Sequence, residues 1–207
     1  MHHSHPTLER TIRAAWAASD FDTAATLAIE GYAAEVLSFL VSRMRSQSDG
    51  QDVFSMFAED LWRGLPEFGW RCSMRTWAYT LARNAANRYV SSPDRQLERN
   101  LARTQPERLS ALVERVRSAT QVHRRTDAKD RFRALRERLE PDDQMLLILR
   151  IDRGMAWRDI AIAIAGDSEL DDEAIARASA RLRKGFERLK IALRRMAEAE
   201  GLLESRP

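Results

Sequence analysis

Apolar residues recur every three or four positions along most of this 207-residue chain, and that spacing admits little besides helix. Between Leu27 and Arg45 the positions Ile29, Ala33, Val36, Leu37, Leu40 and Met44 share one stripe. Gln47, Ser48, Asp49 and Gly50 interrupt it. A second segment repeats the spacing with Val53, Phe54, Phe57, Leu61, Trp62 and Leu65, and Pro66 ends it. A third, from about 74 to 90, aligns Met74, Trp77, Ala78, Leu81, Ala85 and Tyr89, with Thr76, Thr80, Arg83, Asn84 and Asn87 opposite. Trp62 and Trp77 lie on the apolar stripes and read as core, whereas Phe68 and Trp70, in the loop 66–73, read as exposed.

Ser91, Ser92, Pro93 and Asp94 stop the third segment. Residues 94–128 lack large aromatics and carry only a weak apolar stripe, Val113 and Val116, so this stretch reads as a mobile linker with partial helix. Helical spacing resumes at Phe132, Leu135 and Leu139. Pro141, Asp142 and Asp143 suit a helix start, because proline fits the first turn and acids face the positive end of the helix dipole. The apolar run Met145–Ile151 closes at Gly154. In Trp157–Ala165 the isoleucines at 160, 162 and 164 alternate with alanine, a pattern that formally fits a strand. Alanine is a poor strand former and no partner strand is apparent, so helix is the reading. Gly166 and the acidic run Asp167–Glu173 precede a long last helix, about Asp172 to Leu203, with Ile175, Leu182, Phe186, Leu189 and Leu193 facing inward. The expected fold is all-α: two small helical domains, 1–92 and 129–207, joined by a flexible linker at 93–128. The C-terminal domain has the helix-turn-helix pattern of short helix, turn and long basic helix.

The net charge of +3 conceals a strong asymmetry. Residues 91–138 carry 13 Lys and Arg against 7 acids, 139–175 carry 3 against 10, and 176–207 carry 9 against 4. A basic block on a helix suits phosphate contacts, although a solvated arginine-rich face has the same composition. No run of ~20 apolar residues is apparent, so no membrane span is expected. The N-terminus lacks the pattern of a secretory signal, and the single Cys72 excludes an intrachain disulfide, so a reducing cytoplasm is the simplest setting. His2, His3, Ser4 and His5 read as a frayed polar terminus rather than a metal site. No nucleophile–base pair, phosphate-binding loop or metal-spaced set is present, and His123 stands alone. No catalysis, metal, cofactor or small-molecule substrate is expected.

Two constellations carry a resemblance. In the first half, Asp49 and Asp52 precede an apolar helix ending in Trp62. Leu65-Pro66-Glu67-Phe68, a short polar loop, Arg75-Thr76-Trp77 and Ala82-Arg83-Asn84 follow. In the second half, Met145–Ile151, Gly154, Trp157, Asp159-Ile160-Ala161 and a basic helix at 174–190 come in order. The chain resembles the extracytoplasmic-function subfamily of bacterial RNA polymerase sigma factors, over about two thirds of its length. It departs from the family pattern at Ser55, Met56, Phe57, Ala58, Met74 and Ala156, and its turn at 166–173 is longer.

The resemblance implies a specificity subunit that binds core polymerase, directs promoter recognition and strand separation, and catalyses nothing itself. Its implied partners are the polymerase core and promoter DNA, with an anti-sigma protein as a further candidate. Asp49, Asp52 and Phe54 would meet the polymerase, although Asp49-Gly50 suits turn and cap chemistry equally well. Phe68, Trp70, Arg71, Arg75, Thr80, Arg83, Asn84, Asn87 and Arg88 would hold the separated strand, which requires aromatic or amide surfaces for bases and cations for the backbone. Arg177, Arg181, Arg183, Lys184 and Arg188 would meet duplex DNA. Two other readings share these features: a degenerate sigma-like regulator, and an ordinary helix-turn-helix regulator that does not initiate transcription.

Overall fold

The computed structural model describes residues 6–91, 107–119, 134–166 and 171–203, and every regular element among them is helical. The chain divides into two compact units, Met1–Gln121 with Ile162–Ser168, and Val122–Ala161 with Glu169–Pro207. The histidines at 2, 3 and 5 and most of the acidic run at 167–173 lie outside the described residues.

The first unit is built around α2 (Phe21–Met44), which touches α1 (Pro6–Ala17), α3 (Gln47–Gly64) and α4 (Met74–Ser91). Among the described residues α2 is the one helix long and apolar enough to cross a membrane, although Glu30, Glu35 and other polar residues interrupt its apolar positions. Its apolar residues are spread around the helix because neighbours pack against several sides. Ala24, Ile29, Tyr32, Val36, Phe39 and Leu40 are all buried within the unit. The Thr23 side chain and backbone amide hold the carboxyl of its N-cap, Asp20, below its ordinary value.

The break between α2 and α3 falls earlier than the sequence pattern predicts. Arg45 adopts left-handed geometry, and Ser46 caps α3 by accepting a hydrogen bond from Asp49 N at 3.2 Å. Asp49 and Gly50 are therefore inside the first turns of α3 and not in a turn of their own. Gly50 is needed for packing, because a Cβ there would lie 2.7 Å from Val41 Cα and 2.8 Å from Val41 N.

One helix was not expected, and another is more firmly placed than its linker reading suggests. α1 carries fully buried Ile12 and anchors through Trp16, whose Nε1 donates to the Leu65 carbonyl at 2.8 Å. Glu9 on α1 also completes the start of α4. Its carboxylate accepts from Met74 N and Arg75 N, both at 3.0 Å, while Ser73 receives the next two amides through Oγ and its carbonyl. The N–H groups of Met74, Arg75 and Thr76 thus have side-chain acceptors, which a helix start otherwise lacks. The other is α5 (Glu107–Ala119), inside the stretch read as a linker with partial helix, where it is a packed element. Leu109, Leu112 and Val113 are buried and α5 touches α2 and α3. With half-buried Val116 these residues follow helical spacing, a signal wider than the two valines alone.

The second unit opens with helical residues 134–137. α6 (Pro141–Leu147) starts at proline and continues as a π-helical turn, Ile148–Asp152. Arg136 holds Asp152 through two bonds of 2.8 and 3.1 Å. Gly154 takes a positive φ of 62° as the chain leaves the turn. α7 (Trp157–Ala165), of which residues 157–161 fall in this unit, is a helix, so the alternating isoleucines do not make a strand. α8 (Asp172–Ala199) is capped by Asp171, which accepts from Ala174 N at 2.6 Å. Ile175, Phe186 and Leu189 are buried as expected, Leu182 and Leu193 only partly. The Trp157 and Phe186 rings meet edge-on at 5.5 Å.

Candidate nucleic-acid and polymerase interface

The loop that joins α3 to α4 begins with a 3-10 turn, Leu65–Glu67, and its aromatics are not displayed as the sequence suggested. Phe68 is 6 % exposed and stacks on Trp77, with centroids 4.5 Å apart and planes 20° from parallel. This corrects its reading as an exposed ring: the Trp77 and Trp70 rings provide an apolar seat that water does not. Trp70 is half-buried, edge-on to Trp16 at 6.1 Å and tilted against Phe68 at 4.9 Å. The Arg13 guanidinium lies 5.3 Å above its ring. Its backbone has φ 54°, rare for a bulky residue, and its indole Nε1 is buried with no acceptor among the described residues. Trp62 and Trp77, expected in the core, are both half-buried.

On α4 most predicted strand-holding groups have partners within the unit. Arg75 grips Glu35 with Nε and one terminal nitrogen, each at 2.8 Å, and this hydrogen-bonded pairing raises its pKa. Thr80 is buried and donates to the Thr76 carbonyl at 3.1 Å. Asn87 Oδ1 accepts from Arg43 at 2.7 Å, and Arg88 pairs with Asp60 at 2.6 Å. Asn84 and Arg83 are half-buried, and the Asn84 amide donates to the Gly166 carbonyl, in the same unit, at 3.5 Å. Arg71 in the loop is exposed. The α4 face is therefore a hydrogen-bonded surface rather than a row of idle side chains. A ligand there would exchange partners, not fill empty donors.

The three residues expected to face polymerase separate clearly. Phe54 is fully buried beside Phe57, with centroids 5.5 Å apart, and belongs to the core; its place on the apolar stripe of α3 already pointed inward. Asp49 is partly buried and accepts from the Tyr89 hydroxyl at 2.8 Å. Asp52 is half-buried on α3, 3.6 Å from Arg117 of α5. Glu9, Glu35, Arg43 and Asp60, which fix α4 and its cations, went unnoticed in the sequence. Glu9, Ile12 and Trp16 follow helical spacing, the signal that would have found α1.

In the second unit α8 carries Arg181, Arg183, Lys184 and Arg188, all exposed, and none of the four is ion-paired among the described residues. Arg177 is exposed too but pairs with Glu173. Beside this row an open cleft of about 440 Å³ is lined by Arg150, Trp157, Arg183, Lys184, Phe186, Glu187 and Lys190, with Lys190 paired to Glu187. Arg150 donates to the Met155 carbonyl at 2.8 Å and lies 4.8 Å over the Trp157 ring, which fixes one cation at the cleft wall. The four cations of α8 left unpaired among the described residues, Arg181, Arg183, Lys184 and Arg188, suit a polyanion.

Helices α2, α3 and α4, with the loop before α4, are the part of the chain that comparison with known families identifies. Residues 28–96 match the family Sigma-70 region 2. The match takes in most of α2 and all of α3 and α4, about a third of the chain. No curated protein and no solved structure matches the chain. The region-2 match covers Asp49, Asp52 and every residue expected to hold the separated strand, from Phe68 to Arg88, and it leaves α1, α5 and the whole second unit outside.

Proposed function

We propose that this chain is an RNA polymerase sigma factor of the extracytoplasmic-function kind, acting in the cytoplasm where polymerase works. The observation that carries the reading is the region-2 match on α2–α4, the segment that also holds the sequence constellation from Asp49 to Asn84. In this reading the first unit docks on core polymerase through the half-buried acids of α3, Asp52 foremost, and holds the separated promoter strand along α4 and its loop. Arg83, Asn84, Arg71 and Arg88 are the groups nearest to solvent for that task, whereas Phe68, Arg75 and Thr80 shape the surface from beneath. The second unit acts as a helix-turn-helix, with α7 and α8 presenting Arg181, Arg183, Lys184 and Arg188 to duplex DNA. Domains at 1–92 and 129–207 complete the arrangement, with an anti-sigma protein as a candidate regulator.

Co-elution of the purified chain with sigma-free core polymerase on gel filtration tests the attachment. A stoichiometric complex supports it. Duplex DNA binding without a polymerase complex supports an ordinary helix-turn-helix regulator instead.

A further inference from the structure

Helix α5 lies on α2 and α3, where it meets a set of acids. Leu109, Leu112 and Val113 supply its buried stripe. Around that stripe three arginines meet three carboxylates. Arg108 lies 4.0 Å from Asp22, Arg115 bonds Glu30, and Arg117 lies 3.6 Å from Asp52 while donating to the Gln51 carbonyl. The three pairs are unequal. The Arg108 and Arg115 side chains are 86 % and 66 % exposed, so solvent screens them; Arg117 is 23 % exposed and Asp52 27 %. The best-shielded pair is therefore the one that engages Asp52.

We propose that α5 is a self-masking helix that occupies the Asp52 face of the free chain and is displaced when polymerase docks there. The inference rests on the reading of Asp52 as a polymerase contact. One carboxylate cannot give its full attraction to Arg117 and to a basic group of the polymerase at once. The cover is also built to leave. At 13 residues α5 is too short to hold helix strongly by itself, and it is fastened by three large apolar side chains and ion pairs that are mostly exposed. A closed cover weakens apparent affinity in proportion to the open fraction. A chain closed in nine molecules of ten binds about tenfold more weakly than an uncovered one.

The test uses the full chain and sigma-free core polymerase in a fluorescence titration. R115E/R117E places like charges against Glu30 and Asp52. Amides 107–119 of the free variant should exchange faster, and core affinity should rise about tenfold. Adding E30R to this variant restores one pair in reversed sense and should return part of the wild-type weakness, which general damage to the fold would not do. Faster exchange with unchanged or weaker core affinity overturns the masking role. Failure of both wild type and variant to bind core, with helical content intact, overturns the polymerase reading itself, and the cover with it. A measurement on the wild type alone guards against a variant that does not fold. In the complex with core, amides 107–119 should lose protection, and retained protection there overturns the proposal.

Discussion

Glu9 joins three elements through one carboxylate, so its removal is the sharpest test of the first unit's architecture. Glu9→Ala deletes the acceptor of Met74 N and Arg75 N, both at 3.0 Å, and of the Tyr32 hydroxyl at 2.7 Å. The Tyr32 phenol stays protonated at neutral pH, because burial first and the Glu9 hydrogen bond second raise its pKa. A hydrogen bond to a charged acceptor contributes roughly 1.5–3 kcal/mol, and loss of a helix cap costs about 1 kcal/mol. Glu9 is only half-buried, so water partly replaces it at the α4 amides, whereas Tyr32 is fully buried. Counting the tyrosine bond in full and the two amides together as one cap gives a loss of about 3 kcal/mol. Glu9→Gln keeps one acceptor oxygen and should lose about half as much. Urea unfolding followed by tryptophan fluorescence in a Trp157→Phe background reports the first unit, because Trp16 and Trp70 pack beside α1. A cycle with Tyr32→Phe should show coupling of about 2 kcal/mol. A loss below about 0.5 kcal/mol would refute the joint role of Glu9, and strictly additive effects would refute its bond to Tyr32.

Three further outcomes follow from the geometry. Gly50→Ala gains up to about 1 kcal/mol of helix propensity but forces the Val41 backbone away; the clash dominates, with a net loss of about 2 kcal/mol in the same unfolding assay. Asp20 has a lowered pKa, so its charge stabilises the fold above the ordinary carboxylate value of 3.8, and that contribution is lost as pH falls through the depressed one. The stability difference between wild type and Asp20→Asn, measured from neutral to acid pH, should therefore shrink only at the acid end. Replacing Arg181 and Arg183 by alanine should reduce the slope of log affinity against log salt on duplex promoter DNA by about 2; an unchanged slope removes α8 from the interface.

The helical stripes were legible where they were long and richly apolar, as in α2, α3, α4 and α8. α7 was legible because alanine argued against the strand that its isoleucine alternation suggests. Gln47–Gly50 looked like a turn because polar residues and glycine are common in turns, yet a serine cap and a close helix crossing explain them better. α5 was obscured by its arginines: Leu109 and Leu112 complete the stripe, but a polar surround made the segment resemble a linker. The site was less legible than the fold. Whether Arg75 faces a ligand or Glu35 depends on a partner 40 residues away, and Phe68 is hidden by Trp77 only once the loop has folded back. Residue type identifies groups able to hold a nucleic acid, whereas partners distant in sequence decide which of them are already engaged.

Run-off transcription with sigma-free core polymerase, this chain and a library of promoter fragments tests the central claim most directly. The account predicts transcripts from a defined subset of fragments that require both proteins, with Asn84→Ala reducing them more than it reduces core binding. Core binding that yields no transcript from any fragment would contradict the initiation role and leave a regulator that has kept the region-2 scaffold without its activity.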